Sequence, residues 1–263
     1  MNLGLKGKVA LVGGASRGLG RASALALAEE GACVVVCARD FGALETAARE
    51  IAAETGSAVL PVACDLMRPE QIDRLVEEAV DRFGRIDILI NNTGGPPPGL
   101  FLDHEDAAWD AAFQGLLMSV VRLCRAVVPA MRASGWGRIV TNTSFTVKEP
   151  AEGLILSNAF RTAVVAVSKT LAREVAADGI TVNCIAPGAF DTDRLRSLFA
   201  KQAEDSGRSL DEVRAAWEER IPIGRLSRPE ELAALVTFLC SEKAASITGT
   251  CLPVDGGMLR SLL

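Results

Sequence analysis

The sequence predicts an α/β protein in which a doubly wound parallel sheet is covered by helices on both faces. Short apolar runs alternate with longer helical patterns from one end of the chain to the other. The runs contain few polar residues, which is typical of strands buried on both faces of a parallel sheet. The length of 263 residues fits one domain of this class, and no linker or internal repeat divides the chain. We therefore predict a single domain over residues 1–263.

About seven strands, and the helices between them, can be placed in order. Strands are predicted at VALVG, CVVVCA, AVLPVAC, IDILIN, GRIVTN, ITVNCIAP and near TCLPVD. Helices are predicted up to about residue 30, over 41–55 and 69–83, through residue 131, and over 154–174. Residues 189–227 interrupt the series because they are polar and helical in pattern. We predict that this stretch forms a lid-like insertion over one edge of the sheet.

The composition excludes several classes of function. A net charge of −5 with scattered basic residues argues against a nucleic-acid partner. The N-terminus lacks the pattern of a secretory signal, and no uncharged stretch approaches the ~20 residues of a membrane span, so we predict a cytoplasmic protein with no membrane partner. Seven cysteines without C-x-x-C spacing and a single histidine, His104, give no metal-binding pattern.

A glycine cluster lies between the first strand and the first helix. Gly14, Gly18 and Gly20 have the spacing G-x-x-x-G-x-G, with Ser16 and Leu19 between them. Glycines in this position allow a tight turn and let backbone N–H groups approach a pyrophosphate at the helix N-terminus, where the helix dipole favours negative charge. The loop therefore predicts a dinucleotide site formed by these residues.

Two arginines bear on the choice of dinucleotide. Arg17 in the glycine loop and Arg39 just after the second strand lie where a ribose 2′-phosphate would be expected. Asp40 would favour NAD if it accepted hydrogen bonds from the ribose hydroxyls, but it also stands where an N-cap residue of the helix at 41–55 belongs. We predict NADP as the cofactor, with NAD the less favoured alternative.

Further motifs give the chain a resemblance to a known family. They are Asp65-Leu66 in ACDL, Asn91-Asn92-Thr93-Gly94 after the fourth strand, Pro187-Gly188 with Thr192 after the sixth, and Val254-Asp255-Gly256-Gly257. Together with the glycine loop, they make essentially the whole chain resemble a short-chain dehydrogenase/reductase with a Rossmann-type fold. The resemblance implies that Asp65 and Leu66 contact the adenine, that Asn92 and Gly94 lie beside the cofactor, and that Pro187, Gly188 and Thr192 hold the nicotinamide carboxamide.

The resemblance also implies four catalytic positions. In the family a tyrosine protonates the carbonyl oxygen, a lysine one turn later lowers the pKa of that tyrosine and holds the ribose, a serine orients the carbonyl, and an asparagine supports a proton relay. Ser144 fits the serine position. The other three positions hold Ser157, Arg161 and Leu116, in a chain that contains no tyrosine at all.

These replacements change the chemistry that the positions can perform. Arg161 stays charged and can bind ribose hydroxyls, but it is a poor proton shuttle. Ser157 is too weak an acid to protonate a substrate and is at best an orienting hydrogen-bond donor. Lys148, in the loop TVKEP with Glu149, is our leading candidate for a substitute acid. His104, at a predicted helix start, is expected to be an exposed residue without a catalytic role.

Two functions remain open from the sequence. The first is an NADP(H)-dependent oxidoreductase that acts on a carbonyl or hydroxyl group of a small molecule, is similar to 3-oxoacyl thioester reductases, and has an atypical acid–base site. The alternative is a catalytically inactive NADP(H)-binding regulator or scaffold. The resemblance also implies a homotetramer or homodimer, in which the helices around 108–133 and 154–177 form the main contact.

Overall fold

The computed structural model describes residues 1–262 and contains a seven-stranded parallel sheet, which confirms the predicted fold class. The strands are β1 (Val9–Val12), β2 (Cys33–Ala38), β3 (Val59–Ala63), β4 (Ile88–Asn91), β5 (Gly137–Asn142), β6 (Ile180–Pro187) and β7 (Cys251–Val254). Their order across the sheet is β3-β2-β1-β4-β5-β6-β7. The order reverses between β1 and β4, and a crevice at the carboxyl ends of the strands there is the usual ligand site of such sheets.

Nine helices connect and cover the strands in the described part of the chain. They are α1 (Gly18–Glu29), α2 (Phe41–Thr55), α3 (Pro69–Phe83), α4 (Asp106–Ala112), α5 (Ser119–Ser134), α6 (Ile155–Val175), α7 (Asp193–Ser206), α8 (Leu210–Glu219) and α9 (Pro229–Cys240). A π-helical turn at Phe113–Met118 joins α4 to α5 without a break. The sequence analysis did not single out α9, which lies between the lid segment and the last strand.

The core consists of two layers, one on each face of the sheet. On one face, Leu75 of α3 and Leu123 of α5 are fully buried against β1, β4 and β5. On the other face, Leu27 of α1, Leu44 of α2 and Leu239 of α9 are equally buried. Both faces of the strands are therefore dry, which explains why their sequences are apolar without alternation.

The continuous helical run from Asp106 to Ser134 is long and apolar enough to cross a membrane by length and composition alone. About 44% of its most apolar window is buried inside the protein, and Leu123 lies in the core. Arg122 and Arg125 also interrupt that window. A helix that packs on a core passes the same test, so this single run is weak evidence for a membrane span.

Residues 189–227, which we call the lid segment, contain α7 and α8. Its two ends are joined, because the backbone N–H of Asp191 donates to the carbonyl of Ser227 at 2.9 Å and the N–H of Ser227 donates to the carbonyl of Ala189 at 3.0 Å. The lid segment also has its own small apolar cluster, which includes Phe199 and Val213. The lid segment is therefore a packed unit whose two ends are hydrogen-bonded to each other, and we call this junction of residues 189–191 with Ser227 the closed neck.

Candidate active site

The glycine loop is shaped by close backbone contacts. Gly14 and Gly18 have φ values of +56° and +58°, a region that favours glycine. A Cβ on Gly20 would collide with the carbonyl oxygen of Gly14 and would lie 2.7 Å from Nδ2 of Asn92. The first turn of α1 can therefore lie against the end of β4 only because these positions carry no side chain. This arrangement leaves the N-terminus of α1 facing the crevice, where its dipole favours a phosphate.

A cleft of about 820 Å³ opens beside this loop at the switch point of the sheet. Eight of the predicted cofactor residues line it: Gly14, Ser16, Arg17, Arg39, Asp65, Leu66, Asn92 and Gly94. Leu19 does not, because its side chain packs against the core on the α1 face. The cleft thus combines a phosphate-binding helix terminus with polar groups from the ends of three neighbouring strands, and its residues fit a dinucleotide.

Arg17 and Arg39, which were predicted to bind a 2′-phosphate, supply positive charge at the mouth of this cleft, which we call the cofactor cleft. Arg39 is exposed and forms no ion pair within residues 1–262. Arg17 lies 3.8 Å from a carboxylate oxygen of Asp193 at the start of α7. Asp40 caps α2, since its Oδ1 accepts the N–H of Ala43 at 3.2 Å. Asp40 is therefore the N-cap of α2, the role that the sequence offered as an alternative to ribose binding. One of its two carboxylate oxygens is occupied by this hydrogen bond.

A chain of hydrogen bonds crosses the floor of the site. Nδ2 of Asn92 donates to the carbonyls of Gly13 and Gly14 at 3.0 and 3.3 Å. Oδ1 of Asn92 accepts Nδ2 of Asn142 at 2.9 Å, and the backbone carbonyl of Asn142 accepts Nη1 of Arg161 at 2.9 Å. These hydrogen bonds therefore fix the relative positions of the glycine loop, the ends of β4 and β5, and α6. The sequence analysis missed Asn142, whose only local signal is a polar residue at a strand end, two positions before Ser144.

Ser144 and Arg161 are both positioned at the carboxyl end of β5. Ser144 is the N-cap of a 3₁₀ turn at Phe145–Val147, and its Oγ accepts the N–H of Thr146 at 3.2 Å. Arg161 is the seventh residue of α6, and burial, followed by the charge of Arg194, lowers the pKa of its guanidinium to about 10. Ser157 is 6% exposed and lies in the first two turns of α6.

The other candidates occupy different surroundings. Lys148 caps the C-terminal end of the same 3₁₀ turn. Burial raises the pKa of the Cys251 thiol in β7, whereas a hydrogen bond with Thr143 and the charge of Lys148 lower it. Lys148 does not line the cleft beside the glycine loop, and neither do Ser144, Ser157 and Arg161.

The expectation for His104 needs correction. His104 follows the 3₁₀ turn at Phe101–Asp103 and is half-buried rather than exposed. Its Nε2 is buried without a hydrogen-bond partner and lies close to Gly99, because the loop folds back over the imidazole ring. Leu116, which the sequence analysis assigned to the position of the family asparagine, lies in the π-helical turn, is 4% exposed, and lines the cofactor cleft with an apolar side chain.

The predicted carboxamide-binding residues lie at the end of β6. Pro187 is the last residue of the strand, and the N–H of Gly188 donates to the carbonyl of Val254 at 2.9 Å. Thr192 caps α7, with its Oγ1 accepting the N–H of Leu195 at 3.4 Å. A Cβ on Gly18 would be 3.6 Å from the methyl group of Thr192. The start of the lid segment therefore lies directly opposite the glycine loop.

A second cleft of about 1050 Å³ lies between the lid segment and the loops that follow β4 and β5. Its walls include Phe145, Leu154, Trp217 and Met258, with Glu149 at one side. Phe145 adjoins Ser144, and Asn142, two residues earlier, is bonded to Asn92 in the cofactor cleft. The segment 142–145 thus connects the two clefts.

A proline loop separates these two clefts. Pro96 and Pro97 line the cofactor cleft, whereas Pro98 lines the second one. Nη2 of Arg194 in the lid segment donates to the carbonyl of Pro96 at 2.8 Å. The N–H of Gly99 donates to the carbonyl of Gly153 at 2.8 Å, just before α6. The partition is therefore held from both sides, by the lid segment and by the segment that leads into the helix of Ser157 and Arg161.

A nucleotide cleft at the switch point of a parallel sheet, with a serine and a half-buried arginine at the end of the neighbouring strand, is typical of a Rossmann-type oxidoreductase, and comparisons with known proteins agree. The profile of a family described as Enoyl-(Acyl carrier protein) reductase matches residues 14–259. Dehydrogenase/reductase SDR family member 4 of Oryctolagus cuniculus is 35% identical over 254 residues, which cover 96% of this chain and 94% of that protein. The chain belongs to the short-chain dehydrogenase/reductase family.

Among individual relatives, the 3-oxoacyl-(acyl-carrier-protein) reductase of Vibrio cholerae is 38% identical over 256 residues, which cover 97% of this chain and 99% of the relative. The crystal structure of L-sorbose reductase from Gluconobacter frateurii, complexed with NADPH and L-sorbose, superposes with a TM-score of 0.95 at 39% identity and full coverage of both chains. The relatives thus reduce chemically different substrates on one shared fold, and the fold alone does not define the substrate.

Proposed function

We propose that this protein is an NADP(H)-dependent reductase of a carbonyl group in a small molecule, and that it works with an atypical acid–base site. The observation that carries the proposal is the continuous hydrogen-bond chain from the glycine loop through Asn92 and Asn142 to Arg161. It ties the nucleotide cleft to the position where the family has its catalytic lysine. This coupling supports a site in which cofactor and substrate are held in the geometry that hydride transfer requires.

The residues of the cofactor cleft support NADP(H) rather than NAD(H). Arg17 and Arg39 provide positive charge at its mouth, and Asp40 has one carboxylate oxygen engaged in capping α2. Charge-assisted hydrogen bonds from arginine suit a phosphate group. The L-sorbose reductase of similar structure was crystallised with NADPH, which agrees with this choice.

When bound, the cofactor supplies a hydride for the carbonyl carbon, and the residues of this chain must orient the carbonyl and provide for a proton on its oxygen. The Ser144 hydroxyl accepts a backbone N–H, so its own proton is free for a hydrogen bond to a carbonyl oxygen. Arginine carries five N–H donors, and Arg161 uses one on Asn142, so that others can hold ribose hydroxyls.

The proton donor is the unusual part of the proposal. Ser157 is much shorter than a tyrosine, so we infer that water next to Ser157 delivers the proton in place of a phenol. Among the side chains, Lys148 is the alternative candidate for the acid. General acid catalysis contributes ~10²–10⁴-fold, so a reductase that relies on water is slow but active.

The proposal is tested by following NADPH and NADH oxidation with a panel of 3-oxoacyl thioesters, ketoses and diketones. We expect slow turnover that depends on NADPH and falls in Ser144→Ala, while the exposed control Ser197→Ala keeps the parental rate. Calorimetry on the same preparations measures cofactor affinity. Tight NADPH binding without turnover on any compound would instead support the inactive regulator or scaffold.

We also propose that the protein acts in the cytoplasm as a homodimer or homotetramer. Only six of the 21 residues of α6 are buried within one chain. Small side chains such as Ala166 lie on the exposed face of α6, which permits close helix packing across a two-fold axis. The cysteines of the described chain are all free, as suits a reducing compartment.

A further inference from the structure

Two arginines from distant parts of the sequence approach the same region of the site. Arg161 extends from α6 to the carbonyl of Asn142, at 2.9 Å. Arg194, the second residue of α7, extends to the carbonyl of Pro96, at 2.8 Å. These two carbonyls belong to the segments at the ends of β5 and β4, which are neighbours in the sheet. Arg194 is thus fixed to the partition between the two clefts, and Arg161 is fixed to the end of the strand beside β4.

No carboxylate neutralises this pair in the described part of the chain. Arg161 and Arg194 form no ion pair within 4.0 Å, although many other arginines of residues 1–262 do. The acidic residues nearest to Arg194 in sequence are committed elsewhere. Asp191 pairs with Arg196 at 2.9 Å, and Asp193 lies 3.8 Å from Arg17.

Arg161 is half-buried and Arg194 is exposed, so the first has lost part of its hydration and also feels the like charge of the second. The charge of Arg194 and, more strongly, burial lower the pKa of Arg161, so the repulsion is felt at the guanidinium itself. The pair remains charged at neutral pH because a pKa of about 10 is still well above 7. Such a pair is an anion site, because a bound anion would relieve both the repulsion and the loss of hydration.

We propose that Arg161 and Arg194 together bind a carboxylate of the carbonyl substrate, so that the protein reduces oxo acids. The proposal rests on the proposed function and adds the charge of the substrate to it. Arg194 holds Pro96 at the boundary between the two clefts, since Pro96 lines the cofactor cleft and Pro98 lines the second one. We favour a substrate carboxylate over a cofactor phosphate because Arg17 and Arg39 already supply positive charge for a phosphate in the cofactor cleft. The remaining N–H donors of Arg161 suffice for ribose hydroxyls and a carboxylate together.

The test measures binding rather than turnover. Protein saturated with NADP⁺ is titrated calorimetrically with pyruvate, acetoacetate and levulinate, and with the methyl ester of each acid. The oxidised cofactor prevents reduction, and the three acids vary the distance between carboxylate and carbonyl. We expect at least one acid to bind 10-fold or more tightly than its ester, and we expect Arg194→Gln to remove that difference. Arg194→Lys should restore part of it, because it keeps the charge without the bidentate geometry.

Arg196→Gln is the matched control, since Arg196 lies two residues further along α7 and is paired with Asp191. It should leave the preference for the acid unchanged. Two results would overturn the proposal: equal binding of every acid and its ester, or a loss of NADP⁺ affinity in Arg194→Gln with anions bound only in the absence of the cofactor. The second result would assign the pair to a cofactor phosphate. Because no step requires turnover, a failure of reductase activity remains distinguishable from a failure of this site.

Discussion

The double substitution Ser157→Tyr with Arg161→Lys should increase the rate of carbonyl reduction. It would place a phenol and an amine one turn apart on α6, at the positions that we assign to the acid and the lysine of the family. The side chain of Ser157 is buried, and Arg161 one turn later on α6 contacts the end of β5, so we expect a tyrosine at position 157 to lie on the same side of the site as Ser144. The positive charge of the lysine would lower the pKa of the phenol toward the working pH.

The expected gain is limited by the rest of the site. A positioned general acid typically contributes ~10²–10⁴-fold, but Leu116 supplies no polar group for a proton relay, so we expect ~10–100-fold. Removing Arg161 also removes its hydrogen bond to Asn142, which loosens the chain that leads to the glycine loop. Each single substitution should therefore fail to produce the gain, since tyrosine alone would lack a titratable amine and lysine alone would lack a phenol.

The assay is NADPH oxidation in the presence of a small activated ketone, with cofactor affinity measured alongside by calorimetry. Ser157→Phe with Arg161→Lys is the matched control, because it has the same bulk but no hydroxyl. The reasoning would be wrong if the tyrosine variant folded, bound NADPH and reacted no faster than the phenylalanine variant. Such a result would mean either that the partition excludes the phenol from the substrate or that the parent already uses another acid.

Four further predictions can be checked separately. Arg39→Ala should weaken NADPH binding by about 10-fold in calorimetry, the lower end for one charge-assisted hydrogen bond because Arg39 is exposed, and should leave NADH binding unchanged. Lys148→Ala should keep the parental rate of ketone reduction, and a large loss would identify Lys148 as the acid. The hydrogen bond from Arg225, helped by a backbone N–H, lowers the pKa of Glu231 to about 2, so the advantage of the parent over Glu231→Gln in urea unfolding should be present at pH 7 and disappear as the pH falls from about 4.5 toward 2. Light scattering at micromolar concentration should give the mass of a dimer or tetramer, and a monomer mass would contradict the proposed assembly.

The parts of the fold that depend on local pattern were predictable from the sequence. Helices over 41–55 and 69–83 have the predicted bounds, because each has an extended residue before it and a left-handed glycine after it. The apolar strands were equally clear. Helix α9 was not singled out, because its sequence is apolar on most sides and therefore resembles the buried strands around it.

The parts of the site that depend on distant contacts were not predictable. Asn142 bonds Asn92 across 50 positions of sequence, and Arg194 bonds Pro96 across 98. Neither contact has a local signal, because a polar residue at a strand end and an arginine in a helix are ordinary in isolation. His104 was misjudged for the same reason, since it is the fold of the loop near Gly99 that covers its ring.

The closed neck of the lid segment has a consequence for how new specificities arise on this scaffold. Two backbone hydrogen bonds between residues 189–191 and Ser227 bring the ends of the lid segment together at the sheet. The entropy of closing a loop depends only weakly on the number of residues inside it, so insertions and deletions beyond the neck burden the sheet little. The interior of the lid segment has its own apolar cluster and can be exchanged as a unit. A chimaera that receives the lid of a relative at these junctions should keep its nucleotide cleft and acquire a different wall for the second cleft.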